Sequence, residues 1–327
     1  MPIVHQLSKL PIENTEIKNN AISETTTITV AGKLMEIRFG ELTLVKRLGS
    51  GHFGHVSLMR VVKRGEVHEF AVKELTILNT NVRASRVYLE SEFGIRMSDC
   101  QFAVITYGVV AMGDCVRILM ETMDSSVENL KTRLMIKKRS WPEYTIAFIT
   151  KCVVKGLEFL RKQGIQHRDV KPTNMLVNKL GCVKICDYGV AQQMKNDKTD
   201  TKYVGTYSYM APERLTRQNA NKGFRIQSDV WSLGLSVYYL STGFLPFSEK
   251  LACDDLQRYF EEHKDLVIPV DNTFTTEQSK FLVACLKLDE LERPDYITLL
   301  QMDFLTEVKI KNFRGDFAKF VLDTLAP

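Results

Sequence analysis

The segment from His167 to Gly189 constrains this chain more than any other. It reads His167-Arg168-Asp169-Val170-Lys171-Pro172-Thr173-Asn174, then Met175-Leu176-Val177, and closes on Asp187-Tyr188-Gly189. An acid, a lysine and an amide fall between Asp169 and Asn174. A second acid, Asp187, follows across a Val/Leu/Ile-bearing stretch with the look of a β-hairpin. Such a set suits chemistry on a polyphosphate. A carboxylate can orient a hydroxyl and accept its proton, and an amide oxygen with a second carboxylate offers hard ligands to Mg²⁺. The plain alternative is a β-hairpin that happens to carry charge.

These residues resemble, almost letter for letter, the catalytic loop and metal motif of the protein kinases. The resemblance implies an α+β, bilobal protein kinase fold. A small lobe would hold an antiparallel five-stranded β-sheet with one main helix, and a larger lobe would be mainly α-helical. It implies Asp169 as catalytic base and Lys171 as the cation that neutralises charge on the transferring phosphoryl group. Asn174 and Asp187 would bind Mg²⁺, and ATP would be the phosphoryl donor. Tyr188 stands where the family commonly has phenylalanine, and His167 is expected to pack on it rather than move protons.

Gly49-Ser50-Gly51-His52-Phe53-Gly54-His55-Val56 is a Gly-x-Gly-x-x-Gly-x-Val turn. Glycines let a backbone approach phosphates closely and adopt positive φ. A dinucleotide-binding fold carries a similar turn, but there it enters a helix, whereas here it enters the strand Val56-Ser57-Leu58. The resemblance places Leu48, Gly49, Gly51 and Gly54 around ATP and puts Lys73 on its α- and β-phosphates. Lys73 needs a carboxylate, and Glu90 and Glu92 are the candidates; counting back from Tyr107-Gly108 by the family pattern favours Glu90. Gly94, four positions on, departs from the bulky apolar residue common in the family, with Phe93 beside it to fill the space. Val56, Ala71 and Leu176 would sandwich the adenine and Met120 would guard the back of its pocket. Glu121 to Met123 would form the hinge that bonds the adenine edge. Core packing is the plain reading of each apolar position, and both readings can hold together.

Composition sets outer bounds. The chain has 327 residues, 44% hydrophobic and 25% charged, which suits one large domain or two lobes. Its 44 basic and 39 acidic side chains leave a net charge of +5, too mild to argue for nucleic acid. Lys137-Lys138-Arg139, the densest basic run, reads as a solvated loop. No apolar run approaches the ~18 residues that cross a membrane. Met1-Pro2-Ile3 opens without a signal-peptide pattern, and with Pro2 in second place no myristoylation is expected. Seven cysteines without such a pattern indicate a reducing compartment, and the expected location is the cytoplasm, with the nucleus as a second site. Cys182 and Cys186 lack a second Cys/His pair, so no zinc site is expected.

In chain order, residues 1–35 are expected to form a flexible tail, polar and without period to about residue 30. Residues 36–122 form the small lobe, 123–308 the large lobe and 309–327 a docking helix. Leu42, Leu44 and Leu48 alternate with polar residues as in a strand, and Phe70 to Lys73 lies on another. Helices are predicted over Arg83–Arg96, Thr145–Gln163, Asp229–Thr242, Glu277–Leu288 and Tyr296–Phe304. Trp141-Pro142-Glu143 would start the second of these. Glu213 of Ala211-Pro212-Glu213 is expected to pair with Arg293, and Asp229 to anchor the catalytic loop from beneath.

Within the kinases, Val204-Gly205-Thr206-Tyr207-Ser208-Tyr209-Met210 through Leu215 is similar to the MAP kinase kinases, as is Cys186-Asp187-Tyr188-Gly189-Val190. Ser98-Asp99-Cys100-Gln101-Phe102 resembles the branch acting on stress-activated MAP kinases, although Gly205-Thr206 is more typical of the growth-factor branch. The resemblance implies dual-specificity transfer to the Thr and Tyr of a downstream MAP kinase. It places two phosphoacceptors four residues apart, at Asp197 and Thr201, with Thr199 as the alternative. A phosphate at Thr201 would add about −1.5 to −2 charge and pair with Arg168, while Asp197 would either lend some basal activity or be a plain exposed loop acid. Phe317, Phe320, Val321 and Leu325 form a helical stripe that resembles the docking segment for an upstream kinase, the plain alternative being a helix packed on the large lobe. Lys9-Leu10-Pro11-Ile12 is a thin echo of a MAP kinase docking motif. Two other readings compete: a sterile-twenty-like kinase acting further upstream, and a scaffold without catalysis. The scaffold would be expected to lack Lys73, Asp169, Asn174 or Asp187, and all four are present.

Overall fold

The structure is a computed structural model, and it describes residues 23–51, 54–76, 81–199, 205–215, 223–248, 252–262 and 274–326. It divides into two compact units, Met1–Met123 and Asp124–Pro327.

The first unit opens with a hairpin of β1 (Thr25–Val30) and β2 (Lys33–Arg38). A five-stranded antiparallel sheet follows, with β3 (Thr43–Gly51), β4 (Gly54–Lys63), β5 (Glu66–Thr76), β6 (Thr106–Met112) and β7 (Cys115–Met120) in the order β3-β4-β5-β7-β6. Helix α1 (Asn81–Arg96) enters between β5 and β6. Side chains alternate across a strand, so each strand serves two cores. Phe70, Val72, Val110 and Leu119 cluster with Ile28 and Ile37 of the hairpin, whereas Leu75, Val116 and Ile118 pack with Val87 of α1. The hairpin overturns the tail reading from Thr25 onward. Its threonines look polar in composition but are β-branched, and they alternate with the buried Ile28. Of the three leucines read as one strand face, Leu42 is buried while Leu44 and Leu48 point to solvent.

The second unit begins with β8 (Ser125–Ser126), α2 (Val127–Ile136) and α3 (Glu143–Lys162). Ser126 caps α2, its hydroxyl accepting the Asn129 amide at 3.1 Å. Pro142 sits at the N-cap of α3, and Ile146, Ile149, Val153, Leu157 and Leu160 are all buried, as their spacing predicts. Strands β9 (Ile165–Gln166), β10 (Met175–Val177), β11 (Val183–Ile185) and β12 (Gln192–Gln193) are short. β10 pairs with β11 and with β8, and β12 pairs with β9. After α4 (Pro212–Leu215), helix α5 (Gln227–Thr242) is buried nearly all round and ends at Gly243 in the left-handed conformation. Then come α6 (Cys253–Glu262), α7 (Thr276–Cys285), α8 (Tyr296–Gln301), α9 (Asp303–Thr306) and α10 (Ile310–Leu325). Two boundaries differ from the periodicity. The helix begun at Tyr296 breaks at Met302, whose ψ of 143° is extended, and α7 stops at Cys285. The last helix, Ile310–Leu325, lies within the 309–327 expected for it.

Candidate active site

The short hairpin β10–β11 delivers the functional groups of the second unit. Asn174 precedes it and Asp187 follows it, and Cys186 donates its amide to the Asn174 carbonyl at 3.0 Å. Both Arg168 (φ 71°) and Asp187 (φ 68°) take the left-handed conformation, which is uncommon without glycine. The loop is gripped from below by the fully buried Asp229, whose carboxylate accepts the amides of His167 and Arg168 at 3.0 Å each. Burial pushes the Asp229 carboxyl above its usual range, opposed by His167, Arg214 and those two amides. His167 packs on Tyr188 with ring centroids 5.8 Å apart, and its Nε2 lies 3.0 Å from the Cys186 carbonyl. Arg293 forks onto Glu213 with two contacts of 2.8 Å.

Asp169 is the centre of the cluster. Lys171 Nζ stands 2.8 Å from its carboxylate. Asn174 Nδ2 donates to the Asp169 carbonyl at 2.8 Å and to its Oδ2 at 3.0 Å. The Asn174 amide nitrogen is thereby spent, which leaves its Oδ1 as the end able to meet a cation. With the Asp187 carboxylate this makes two hard oxygen donors, fitting an ion such as Mg²⁺ that keeps waters and takes phosphate oxygens for its other positions. Thr206 is the residue that motif reading missed. Its amide and its hydroxyl both donate to Asp169 Oδ1 at 3.0 Å, and Lys171 Nζ donates to the same hydroxyl. A small residue followed by a hydroxyl, shortly before Ala211-Pro212-Glu213, was the available signal.

In the first unit the turn between β3 and β4 pairs Gly49 with Val56 and Gly51 with Gly54, after a bulge at Leu48. His52 and Phe53 lie outside the described residues. Gly54 cannot carry a side chain, because a Cβ there would sit 2.0 Å from the Glu74 carbonyl oxygen on β5. Lys73 pairs in register with Val56 on one side and Ile118 on the other, and its buried ammonium forms an ion pair with Glu90. Glu92 instead meets Arg96 at 3.5 Å. Residues two apart on a helix point about 200° apart, so only one glutamate can face the sheet. Ala71 shares the Lys73 face and pairs with Met120. Glu121 accepts the Ile105 amide at 2.7 Å through Oε1 and donates its own amide to the Ile105 carbonyl at 3.0 Å, which anchors the segment running to Met123. Leu176, on β10, belongs to the second unit and pairs with Lys184 and Ser126.

The segment after Asp187 differs from the sequence reading. Lys195 and Lys198 exchange backbone bonds of 2.7 and 3.1 Å around Asn196 and Asp197, both at positive φ, which makes a two-residue hairpin turn. Asp197 is an exposed residue of this turn, as an ordinary loop acid would be. Thr199 is buried; its hydroxyl donates to Gln166 Oε1 at 2.8 Å, and its backbone forms a bridge with Phe224. In this arrangement it is no open acceptor. Thr201 lies outside the described residues, as do Lys9 to Ile12. Arg168 donates to Gln192.

Helix α10 turns its apolar stripe inward. Phe317, Phe320 and Val321 are buried, Phe317 lies 4.7 Å from Phe148 between ring centroids, and Phe320 lies 5.5 Å from Trp141. Arg133 and Lys137 donate to the carbonyls of Leu325 and Ala326 at its C-terminal end. The stripe is thus packing, not a free docking surface.

Residues 42–305 match the family model described as protein kinase domain. The chain is 31% identical over 308 residues to human dual specificity mitogen-activated protein kinase kinase 7, covering 93% of this chain and 72% of that one. The chain belongs to the MAP kinase kinase family of protein kinases. Two Caenorhabditis elegans relatives of this MAP kinase kinase agree. MAP kinase kinase mkk-4 is 34% identical over 264 residues, 79% of this chain and 71% of that protein. Dual specificity mitogen-activated protein kinase kinase sek-1 is 30% identical over 303 residues, 91% and 89% of the two. As a protein kinase, this MAP kinase kinase uses ATP and a divalent metal ion. Among its described residues no helix is long and apolar enough to cross a membrane, and no group of three or more His, Cys, Asp and Glu side chains could hold a metal.

Proposed function

We propose that this MAP kinase kinase uses Mg²⁺ and ATP to phosphorylate both the threonine and the tyrosine in the activation loop of a stress-activated MAP kinase. The observation that carries the reading is the cluster in which Asp169 is held at once by Lys171, Asn174 and Thr206. A carboxylate so oriented can accept the proton of an incoming hydroxyl, with Lys171 beside it to neutralise charge on the transferred group. Lys73, fixed by Glu90, would hold the α- and β-phosphates, and Asn174 Oδ1 with Asp187 would ligate Mg²⁺. Dual specificity is supported by the names of the human and sek-1 relatives, and the stress-activated branch by the resemblance of Ser98 to Phe102.

The switch in this reading is phosphorylation at Thr201 by an upstream kinase, in the cytoplasm or the nucleus. That kinase would dock on the outward face of α10, where Asp316, Lys319, Leu322 and Asp323 are exposed. The test is to incubate the upstream-activated protein with Mg²⁺, ATP and a panel of inactive MAP kinases, and to map the phosphate. Both loop residues of a stress-activated member should be modified, and Thr201→Ala should not be activated. Modification of threonine alone, or full activation of Thr201→Ala, would overturn the reading.

A further inference from the structure

Helix propensity makes a glycine inside a helix unfavourable, so Gly94, in the fourth turn of α1, needs a reason. Its surroundings supply one. A Cβ at Gly94 would stand 2.5 Å from Thr106 Oγ1 and 3.3 Å from Thr106 Cβ, where the first residue of β6 presses against the helix. Thr106 is buried and cannot swing aside into solvent. A serine closes the same junction. Ser98 Oγ lies 3.1 Å from the Gly94 carbonyl and 2.9 Å from the Thr106 carbonyl, and it accepts the Thr106 amide at 3.2 Å.

Glu90 sits one turn before Gly94, on the same face of α1. Thr106 pairs with Met120 on β7, and Lys73 pairs with Ile118 two residues earlier on that strand. The contact at Gly94 and the ion pair at Glu90 are therefore two ends of one approach between a helix and a sheet.

We propose that Gly94 is a positioning residue: its missing side chain lets α1 lie close enough to β6 for Glu90 to reach Lys73. The proposal rests on the reading of Lys73 as the lysine that holds the nucleotide phosphates. A methyl group at Gly94 lifts the last turns of α1 from the sheet and draws Glu90 away. Helix propensity alone would favour alanine, so a loss on substitution reports the contact and not the helix.

The test uses the full chain as wild type, Gly94→Ala, Thr106→Ala and the double variant. Crystal structures read the Lys73–Glu90 separation, and steady-state kinetics against ATP read kcat and KM. In Gly94→Ala the pair should open beyond about 4 Å, the limit for an ion pair. Its kcat/KM should fall about tenfold or more, the scale of an ångström-level misplacement. Removing the Thr106 hydroxyl and methyl in the double variant should restore the ion pair and most of the activity. An intact pair with normal kinetics in Gly94→Ala overturns the proposal. So does a double variant that stays impaired, including one that fails to fold. A wild type that transfers no phosphoryl group, combined with a pair that still opens in Gly94→Ala and closes in the double variant, would sink the Lys73 reading and leave the positioning role standing.

Discussion

Asp169 shows how much one side chain depends on its neighbours. Its two oxygens receive the Thr206 amide and hydroxyl, the Asn174 amide and the Lys171 ammonium. An oriented carboxylate differs from a free one in that its accepting lone pair points one way before substrate arrives. Thr206→Val keeps the shape and removes the hydroxyl, leaving Lys171 and Asp169 each without one partner. A lost hydrogen bond to charged groups costs about 1.5–3 kcal/mol. The expected outcome is a fall in kcat of about tenfold to a hundredfold with a melting temperature within a few degrees of wild type. Turnover measured on an inactive MAP kinase, beside a thermal melt, checks it. The same scale explains the choice between glutamates: Glu90 and Glu92 are indistinguishable by type, and only the helical phase turns one toward Lys73.

At the scale of elements, α10 is the clearest departure from the expectation of an open docking stripe. An amphipathic helix at a chain end offers the same pattern whether a partner or its own unit covers the apolar face. Here Phe148 and Trp141 cover it. Phe320→Asp with Val321→Asp should therefore destabilise the second unit by at least about 3–5 kcal/mol, the cost of emptying a buried aromatic site, with the buried charges adding to it. Basal and upstream-activated activity should be lost together. Leu322→Asp, on the exposed face, should leave the melt and the basal activity intact and slow only activation. Retention of the melt by the first variant would show that the stripe is not a core element.

At the scale of the whole molecule, the two units have separate cores. In the first, the β1–β2 hairpin covers one face of the sheet and α1 the other. Ile28→Ala should cost about 2–5 kcal/mol, the range for truncating a buried isoleucine. Hydrogen exchange should report that cost as lost protection in β3 to β7, with α3 and α5 unchanged; equal loss in both units would mean they unfold as one. The hairpin was illegible as structure because its threonines count as polar in a compositional reading. What folds them is a period of two together with a sheet face that needs covering.

The sequence by itself determined the chemistry and the class of fold. Asp169, Lys171, Asn174 and Asp187 lie close together along the chain, and the glycine turn runs directly into its strand, so short local segments carry the resemblance to the protein kinases. The long amphipathic α3 was equally plain, because five apolar residues at helical spacing need no partner to be recognised. Tertiary structure alone decided what distant segments do to one another. Thr206 reaches Asp169, Thr199 is sealed against Gln166 and Phe224, α10 turns its aromatics inward, and Gly94 yields its side chain to Thr106. The reason is physical. Bonds within a motif are set by covalent distance, whereas a contact across dozens of residues exists only once two surfaces have packed.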